Sequence, residues 1–246
     1  MNVLRVQDLA AGYLKRRIFT EVSFDANAGE FIGIAGLNGS GKSTLLKTLQ
    51  RLLPIAEGTI LINRHPLQSY SFRNLAKLIA VVPQRITISF QFTARQLVAL
   101  GRTPYLGFLA QPSSRDRAVV EAAMEKTDCL QFAETFISEL SSGELQRVCI
   151  ATALAQETQV LLLDEPTNAL DLRQQSRLLK LLNSLKSDGK TILFATHDLS
   201  ILQRSADRVL LLHERTQHAF DSPDMVFNRQ TLSNVFELES ETLYVG

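Results

Sequence analysis

Apolar residues along this chain fall into short continuous runs separated by amphipathic segments. Residues 31–35 and 160–163 are apolar throughout or interrupted only by glycine, which is typical of strands buried on both faces of a sheet. Residues 172–186 carry apolar positions at helical spacing, so we expect a long amphipathic helix there. Further strands are predicted at residues 191–195 and 208–212. This alternation predicts a parallel sheet with helices on both of its faces.

Two regions depart from this alternation. Near the start of the chain, residues 3–9 and 22–24 predict short antiparallel strands, and residues 58–63 predict an edge strand. Between residues 93 and 155, apolar positions recur at helical intervals, which predicts a mostly helical insert. The pattern as a whole indicates an α/β fold with a small antiparallel β subdomain and a helical subdomain.

The composition is that of a globular domain. The chain has 246 residues, of which 45% are hydrophobic and 21% charged, and a chain of this length can fold without disulfides or metals. Its 26 basic residues against 25 acidic ones argue against a domain whose main task is to grip nucleic-acid phosphates. Apolar stretches are far shorter than the ~20 residues of a membrane helix, and no secretory signal is visible, so we expect a cytosolic chain. Cys129 and Cys149 lack metal-ligand spacing and are expected to be buried, reduced side chains.

Residues 36–43 carry the pattern G-x-x-x-x-G-K-S between a predicted strand and a predicted helix. Glycines let such a loop wrap its backbone N–H groups around phosphates, and the following helix presents its positive N-terminal end. Lys42 would place a positive charge between the β- and γ-phosphates, and the Ser43 hydroxyl would bind Mg²⁺. The alternative is a glycine-rich turn with an exposed lysine, which leaves the complete match to the pattern unexplained. The residues expected to bind nucleotide here are Gly36, Asn38, Gly39, Ser40, Gly41, Lys42, Ser43 and Thr44.

Two carboxylates, Asp164 and Glu165, follow the apolar run at residues 160–163. The end of a buried parallel strand lies at the rim of the sheet, where open α/β folds bind ligands. There Asp164 can hold Mg²⁺, and Glu165 can accept a proton from an attacking water. Buried strands also end in acidic residues without any function, so it is the combination with the phosphate loop that indicates metal and base roles.

These motifs resemble those of the ABC-type ATPases, the nucleotide-binding subunits of ATP-driven transporters, and the resemblance extends over about residues 3–236. Residues 140–147, Leu-Ser-Ser-Gly-Glu-Leu-Gln-Arg, resemble the signature segment of that family, usually written LSGGQ. Taken alone, the segment would be an ordinary helix start with Ser141 as its cap and Glu144 in the first turn. In the family, the signature of one subunit closes on the ATP held by another, which implies that two copies of this chain act together.

The signature segment departs from the family pattern at two positions. Ser142 stands where the family usually has glycine, and Glu144 replaces the usual glutamine, a variant common among importer ATPases. Gly143, which lets the γ-phosphate approach closely in the family, is retained. The resemblance therefore implies that Ser141, Ser142, Gly143 and Glu144 bind the nucleotide of the partner copy.

The resemblance assigns roles to three further residues and one loop. Tyr13 resembles the aromatic residue that stacks on adenine. Gln84 resembles the glutamine that senses Mg²⁺ and water and begins the segment facing the membrane subunit. His197 resembles the switch histidine that contacts the γ-phosphate, and residues 168–171 resemble the loop that crosses the dimer interface. The expected catalytic residues are thus Glu165, His197 and Gln84, and the expected metal site is formed by Ser43, Gln84 and Asp164.

The resemblance also implies the organisation of the whole molecule. It implies a P-loop NTPase (RecA-like) core with a parallel sheet, in a nucleotide-binding domain at residues 1–236 with its helical subdomain at about 86–158, followed by a C-terminal tail at 237–246. ATP and Mg²⁺ are the implied cofactors. The implied partners are a second copy of the chain, multi-span membrane permease subunits and, indirectly, a solute-binding protein, but no nucleic acid. The implied location is peripheral, at the cytoplasmic face of the cell membrane.

Two further segments bear on the type of transporter. Residues 99–105, Ala-Leu-Gly-Arg-Thr-Pro-Tyr, resemble the importer subgroup for iron–siderophore, haem and cobalamin, although physically they predict only a helix end stopped by glycine and proline. Residues 214–217, Glu-Arg-Thr-Gln, replace the glycine-containing hairpin that the family pattern leads us to expect. We favour import of a metal chelate, with iron(III)–siderophore ahead of haem and cobalamin.

Other function classes fit less well. A soluble ABC ATPase acting on ribosomes or DNA remains the alternative, but this chain has one cassette, no long heptad run and no cysteine cluster. A GTP-driven switch would carry an Asn-Lys-x-Asp motif, which is missing. A small-molecule kinase would need neither Glu165 beside Asp164 nor the signature segment.

Overall fold

The computed structural model describes residues 1–13, 16–84, 91–107 and 111–236. These residues form two compact units, the first built from Met1–Ser69 and Thr191–Gly246 and the second from Tyr70–Lys190. Helices and strands are numbered along the chain. The C-terminal tail expected at 237–246 lies outside the described residues, and the expected bounds of the helical subdomain stay a prediction.

An antiparallel sheet forms the first part of unit 1. Its order is β2-β1-β4-β5, so β4 lies between two strands and is not the edge strand expected at residues 58–63. The two-residue β5 takes the edge because the chain reverses at Asn63 and Arg64, which both adopt positive φ. The strands are β1 (Asn2–Tyr13), β2 (Arg16–Asn27), β4 (Ile55–Ile62) and β5 (His65–Pro66).

Parallel strands form the second part of unit 1. The strand β3 (Phe31–Ala35) pairs in parallel with β8 (Thr191–Ala195) and with β9 (Arg208–His213). Every residue of β3 and β8 is buried, as the apolar run at residues 31–35 predicts. The rings of Phe31 and Phe194 pack 5.6 Å apart across this pair. The helices of the unit are α1 (Lys42–Leu49), α7 (Leu199–Ser205), α8 (Pro223–Val226) and α9 (Arg229–Phe236).

A hairpin forms at residues 214–217 although the expected glycine is absent. The strand β10 (Thr216–Asp221) pairs antiparallel with β9, and the turn residues Glu214 and Arg215 take φ values of 45° and 69°. Positive φ at two successive residues is the geometry of the two-residue turn that matches strand twist. A hydrogen bond from Thr20 N–H to Arg215 C=O (2.8 Å) holds the turn against β2.

Unit 2 combines two parallel strands with helices. The strand β6 (Ile79–Val82) pairs in parallel with β7 (Val160–Asp164), with Ile79 opposite Val160. The helices expected from the apolar spacing are present, and the long helix predicted at residues 172–186 is confirmed. The helices are α2 (Phe72–Leu75), α3 (Ala94–Ala99), α4 (Ser114–Lys126), α5 (Ser142–Ala155) and α6 (Leu172–Ser187), with a 3-10 helix at Leu100–Tyr105.

The helix α3 ends at Ala99, within the segment where a helix end is expected, but the chain then continues as a 3-10 helix through Gly101 and Pro104. The 3-10 helix Leu100–Tyr105 follows α3 directly and contains Pro104. Proline is tolerated in a short 3-10 segment because such a segment has few internal N–H bonds to lose. None of the helices described has both the length and the apolar character needed to cross a membrane.

Cys129 and Cys149 both lie in unit 2, and both are buried free thiols, as the sequence predicts. Burial raises the pKa of the Cys129 thiol and raises that of Cys149 to about 12. Both side chains are therefore protonated at neutral pH and act as small apolar groups.

Candidate functional site

Residues 36–41 form the loop that joins β3 to α1 in unit 1, and residues 42–44 are the first residues of α1, as the pattern predicts. At Gly36, φ is +146°, and a Cβ atom there would lie 2.4 Å from the Leu212 carbonyl oxygen and 2.6 Å from the Ser40 hydroxyl oxygen. Only glycine fits such a close approach. Gly41, with φ at +111°, precedes the first helical residue, Lys42. The loop therefore has a fixed shape, with its backbone N–H groups leading into the N-terminus of α1.

Lys42 holds this loop closed. Its ammonium group donates hydrogen bonds to the carbonyl oxygens of Gly36 (2.7 Å) and Leu37 (3.3 Å), and its side chain is buried. The Ser40 hydroxyl is also buried, and it has no hydrogen-bond partner among the described residues. A buried polar atom without a partner is costly, so the loop offers an unsatisfied polar group together with a cation. A phosphate oxygen could satisfy both.

The remaining loop residues differ in exposure. Asn38 and Gly39 are exposed, Ser43 is half-buried, and Thr44 is buried at the start of α1. The Thr44 carbonyl oxygen accepts a hydrogen bond from the Thr48 hydroxyl at 2.8 Å. Ser43 therefore keeps partial access to solvent in the first turn of α1, which is where a hydroxyl ligand for a phosphate-bound cation is needed.

Tyr13 lies close to α1 in the same unit. Its hydroxyl accepts a hydrogen bond from Lys47 Nζ at 3.3 Å, and the same ammonium nitrogen lies 5.9 Å from the ring centroid. The tyrosine is 43% exposed, so part of its surface is accessible to a ligand, and an aromatic ring can pack against a planar group. The sequence offered no signal for Lys47, which places a second positive charge one helical turn beyond the phosphate loop.

His197 is exposed two residues beyond the end of β8, also in unit 1. Its neighbours are held tightly: Thr196 is fully buried, and its hydroxyl accepts a hydrogen bond from the Asp198 N–H at 3.1 Å. The Asp198 carboxylate in turn caps α7 by accepting from Ser200 N–H at 3.0 Å. The histidine is therefore carried on a rigid turn, with its ring accessible.

Asp164 and Glu165 lie at the end of β7 in unit 2, and both are buried. Glu165 has a φ of 49°, a left-handed conformation that costs a glutamate roughly 1–2 kcal/mol and that recurs at functional sites. A hydrogen bond from Asn168 N–H to the Glu165 carbonyl oxygen (3.3 Å) stabilises the turn that follows. The backbone therefore leaves the strand and begins a turn at Glu165, the residue predicted to be the base.

Gln84 ends the described residues that follow β6. It is exposed and lies two residues beyond Val82. The segment that it begins, residues 85–90, lies outside the described residues.

The signature segment forms the N-terminus of α5 as a complete capping box. The Ser141 hydroxyl accepts weakly from Glu144 N–H (3.4 Å), while the Glu144 carboxylate accepts from Ser141 N–H (2.8 Å) and from the Ser141 hydroxyl (2.7 Å). These bonds, the hydroxyl first, lower the pKa of Glu144. The glutamate is therefore ionised at neutral pH and stabilises the helix end. Binding of a phosphate there would require the Ser141 hydroxyl to exchange this carboxylate for the phosphate.

Gly143 lies close to a second segment of the chain, a contact that the sequence did not reveal. A Cβ atom at this position would lie 3.0 Å from Gln174 Oε1 and 3.2 Å from the Ala169 carbonyl oxygen. The loop at residues 168–171 therefore packs against the signature segment inside one chain. Ser142 is exposed beside it, so the serine that replaces the usual glycine meets no steric obstacle there.

A profile of the ABC transporter family matches residues 19–168. The chain is 38% identical to the achromobactin transport ATP-binding protein CbrD of Dickeya dadantii, over 97% of this chain and 89% of that protein. It is 39% identical to the hemin import ATP-binding protein HmuV of Nocardia farcinica, over 93% of this chain and 78% of that protein.

Solved structures show the same similarity. A metal-chelate type ABC transporter in an inward-facing conformation matches with a TM-score of 0.84 and 31% identity, covering 97% of this chain and 90% of that one. The dimeric structure of MJ0796, a bacterial ABC transporter cassette, matches with a TM-score of 0.79 and 27% identity, covering 89% of this chain and 98% of that one.

Proposed function

This chain belongs to the ABC transporter family and is an ATPase of that family, and we propose that it energises an importer for iron(III)–siderophore or a related metal chelate such as haem or cobalamin. The observation that supports the cargo class most strongly is the near full-length similarity to import ATP-binding proteins whose names specify achromobactin and hemin. The similarity to a metal-chelate type transporter of known structure agrees with it.

Nucleotide binding falls to the phosphate loop and its neighbours in this proposal. The N–H groups at residues 36–44 and the Lys42 ammonium group bind the phosphates, and Tyr13 stacks on the adenine. Lys42 then exchanges its bonds to the Gly36 and Leu37 carbonyl oxygens for phosphate oxygens. The exchange is favourable because a charge-assisted bond to an anion is stronger than one to a neutral carbonyl.

The oxygen donors of this chain suit Mg²⁺. The Ser43 hydroxyl, the Asp164 carboxylate and the Gln84 side-chain oxygen are the donor types that this ion prefers, and it characteristically needs few protein ligands beside phosphate and water. Within the part of the chain that the structure describes, no cluster of three or more His, Cys, Asp or Glu side chains could hold a metal. When bound, the ion neutralises charge on the β- and γ-phosphates.

Hydrolysis depends on Glu165 in this proposal. Its carboxylate orients a water molecule for in-line attack on the γ-phosphorus and accepts the proton of that water, with His197 and Gln84 assisting. Most of the reduction in the barrier comes from positioning and charge stabilisation, because phosphoryl transfer needs little covalent help from the protein.

The second copy of the chain supplies the remaining contacts. One chain has one phosphate loop and one signature segment, so we assign Ser141, Ser142, Gly143 and Glu144 to the ATP held by the partner copy. The dimeric cassette of similar structure supports this assignment. The dimer then closes on ATP and opens after phosphate release, and this movement drives multi-span permease subunits from the cytoplasmic face of the membrane. A solute-binding protein delivers the cargo to those subunits.

The proposed cargo is tested by uptake of radiolabelled ferric siderophore into cells that lack the chromosomal copy of this chain. We expect the wild-type chain to restore uptake of the siderophore. The Glu165→Gln variant, expressed at the same level, should not restore it. Affinity purification from solubilised membranes should recover a multi-span protein with the wild-type chain. Two results together would support the soluble ATPase alternative. The wild-type chain would be recovered with ribosomes or DNA instead of a membrane protein, and its expression would restore no chelate uptake.

A further inference from the structure

The motif at residues 99–105 packs against the C-terminal end of the signature helix, α5. At Gly101, a Cβ atom would lie 2.3 Å from the Thr152 carbonyl oxygen and 3.2 Å from the Ala155 Cβ atom. The backbone of the 3-10 helix Leu100–Tyr105 therefore touches the backbone of α5 directly. Only glycine permits this approach, so the motif is fitted to α5 and not simply a helix end.

Arg102 ties three segments together at this contact. Its Nε donates to Asp116 Oδ1 (2.9 Å) in the first turn of α4, and its Nη1 donates to the Ala155 carbonyl oxygen (2.7 Å) and to Glu157 Oε2 (2.8 Å) at the end of α5. The arginine is 3% exposed. A guanidinium group suits this task because it directs several N–H donors in a fixed plane, and its charge is favourable beside the negative end of a helix.

Tyr105 extends the junction to β6. The guanidinium carbon of Arg102 lies 4.1 Å from the centroid of its ring, and its hydroxyl donates to the Gln156 carbonyl oxygen at 2.9 Å. The Gln156 side-chain amide donates to the carbonyl oxygens of Ala76 and, at 2.9 Å, of Ile79. Ile79 begins β6, the strand that leads to Gln84. One junction thus holds the far ends of two elements of this unit that lead to predicted site residues, α5 to the signature segment and β6 to Gln84.

We propose that Arg102, supported by Tyr105, is a positioning residue for ATP hydrolysis: it fixes the axis of α5 and so the direction in which that helix presents residues 141–144 to a partner copy. This inference rests on the proposed function. The 14 residues of α5 span roughly 21 Å, so a tilt of about 10° at the anchored end moves the signature segment by about 4 Å. That displacement exceeds the tolerance of a hydrogen bond. Arg147 also holds α5, but through the half-exposed Asp128 (3.1 Å).

The test compares Arg102→Lys and Tyr105→Phe with Arg95→Lys, a matched control. Arg95 lies on the preceding helix, α3, and forms an exposed ion pair with Glu134 (2.8 Å). For each purified variant we would measure kcat and KM for ATP, ADP affinity by calorimetry and the melting temperature. The same substitutions in a Glu165→Gln background would report ATP-dependent dimer formation by sedimentation.

We expect Arg102→Lys to lower kcat about tenfold or more and to reduce the dimer fraction, since small misplacements of reacting groups cost rate steeply. ADP affinity should stay within about twofold of wild type, because in the proposed site the signature segment contacts the nucleotide of the partner copy and not that of its own chain. Tyr105→Phe, which removes one hydroxyl, should lower kcat by about two- to fivefold, and it serves as the test if Arg102→Lys does not fold. Arg95→Lys should match the wild type.

The inference is overturned if the folded Arg102 or Tyr105 variants keep wild-type kcat and dimer formation. A loss of kcat matched by an equal loss of ADP affinity would also overturn it, because destabilisation of the whole domain would then explain the result. Failure of the proposed two-copy site is a separate outcome: in that case Glu165→Gln alone, without a second substitution, forms no ATP-dependent dimer.

Discussion

Lys42 stabilises the phosphate loop, and in the proposed function it also binds the ligand. Its ammonium group bridges two carbonyl oxygens of the phosphate loop, and in the proposed mechanism it transfers those bonds to phosphate. The motif predicts the second role from spacing alone. It does not predict the first, because the carbonyl partners come from the backbone conformation that Gly36 permits.

Replacing Lys42 by alanine should lower nucleotide affinity about 10- to 100-fold. A hydrogen bond to a charged group contributes about 1.5–3 kcal/mol, and each 1.4 kcal/mol corresponds to about tenfold in affinity. Titration calorimetry with ATP measures the effect, and Lys180→Ala on the exposed face of α6 is the control. Unchanged ATP affinity in the Lys42 variant would contradict the assignment of residues 36–44 to phosphate binding.

A residue pattern does not predict all the contacts of Glu144 and Gly143. The sequence allows residues 140–146 to be an ordinary capped helix start, and within one chain they form that structure through the Ser141–Glu144 bonds. Their proposed role toward nucleotide depends on a second chain, which no pattern in a single sequence can place. The packing of Gly143 against residues 169 and 174 could not be predicted either, since it depends on a contact distant in sequence.

At the scale of helices and strands, prediction succeeds where apolar spacing is strong. The strands at 31–35 and 191–195 and the helix at 172–186 were predicted close to their true bounds because burial determines them. The 3-10 helix through Pro104 was missed. Arg102 in this helix bonds to groups that lie 14, 53 and 55 residues away, and no local pattern contains these contacts.

The start of α4 should make the stability of this chain depend on acid pH. Hydrogen bonds from the Ser113 hydroxyl and backbone N–H, and then Arg102, lower the pKa of Asp116 from 3.8 to about 2. The unfolded chain therefore binds this proton at a higher pH than the folded chain does. The resulting stabilisation is complete above about pH 4 and is lost as the pH falls toward 2.

Thermal unfolding of wild type and Asp116→Asn between pH 2 and 7 measures this dependence. We expect the difference in melting temperature between the two proteins to shrink steadily below pH 4, because protonation of Asp116 removes the stabilisation that its ionised form gives the wild type. Glu121→Gln, on the exposed face of the same helix, controls for the loss of a carboxylate. A difference that stays constant from pH 7 to pH 2 would show that the ionised form of Asp116 does not stabilise the fold.

At the scale of the whole molecule, the predicted fold class is confirmed, while the division into subdomains stays a prediction. Apolar runs and the phosphate-loop pattern led to the α/β core, and the resemblance over residues 3–236 added the family. The predicted site residues fall in both units: the phosphate loop, Tyr13 and His197 in the first, and Asp164, Glu165, Gln84 and the signature segment in the second. The central claim of the proposed function is that a partner copy completes the nucleotide site.

Sedimentation of the Glu165→Gln variant with Mg²⁺ and ATP tests that claim most directly. Removing the base should leave nucleotide binding intact, stop hydrolysis and trap the closed state, so we predict a dimer that holds two ATP molecules. The same variant with ADP, and a Lys42→Ala Glu165→Gln double variant with ATP, should sediment as monomers. A Glu165→Gln chain that binds ATP with wild-type affinity yet remains a monomer at every protein concentration tested would contradict a site shared between two copies.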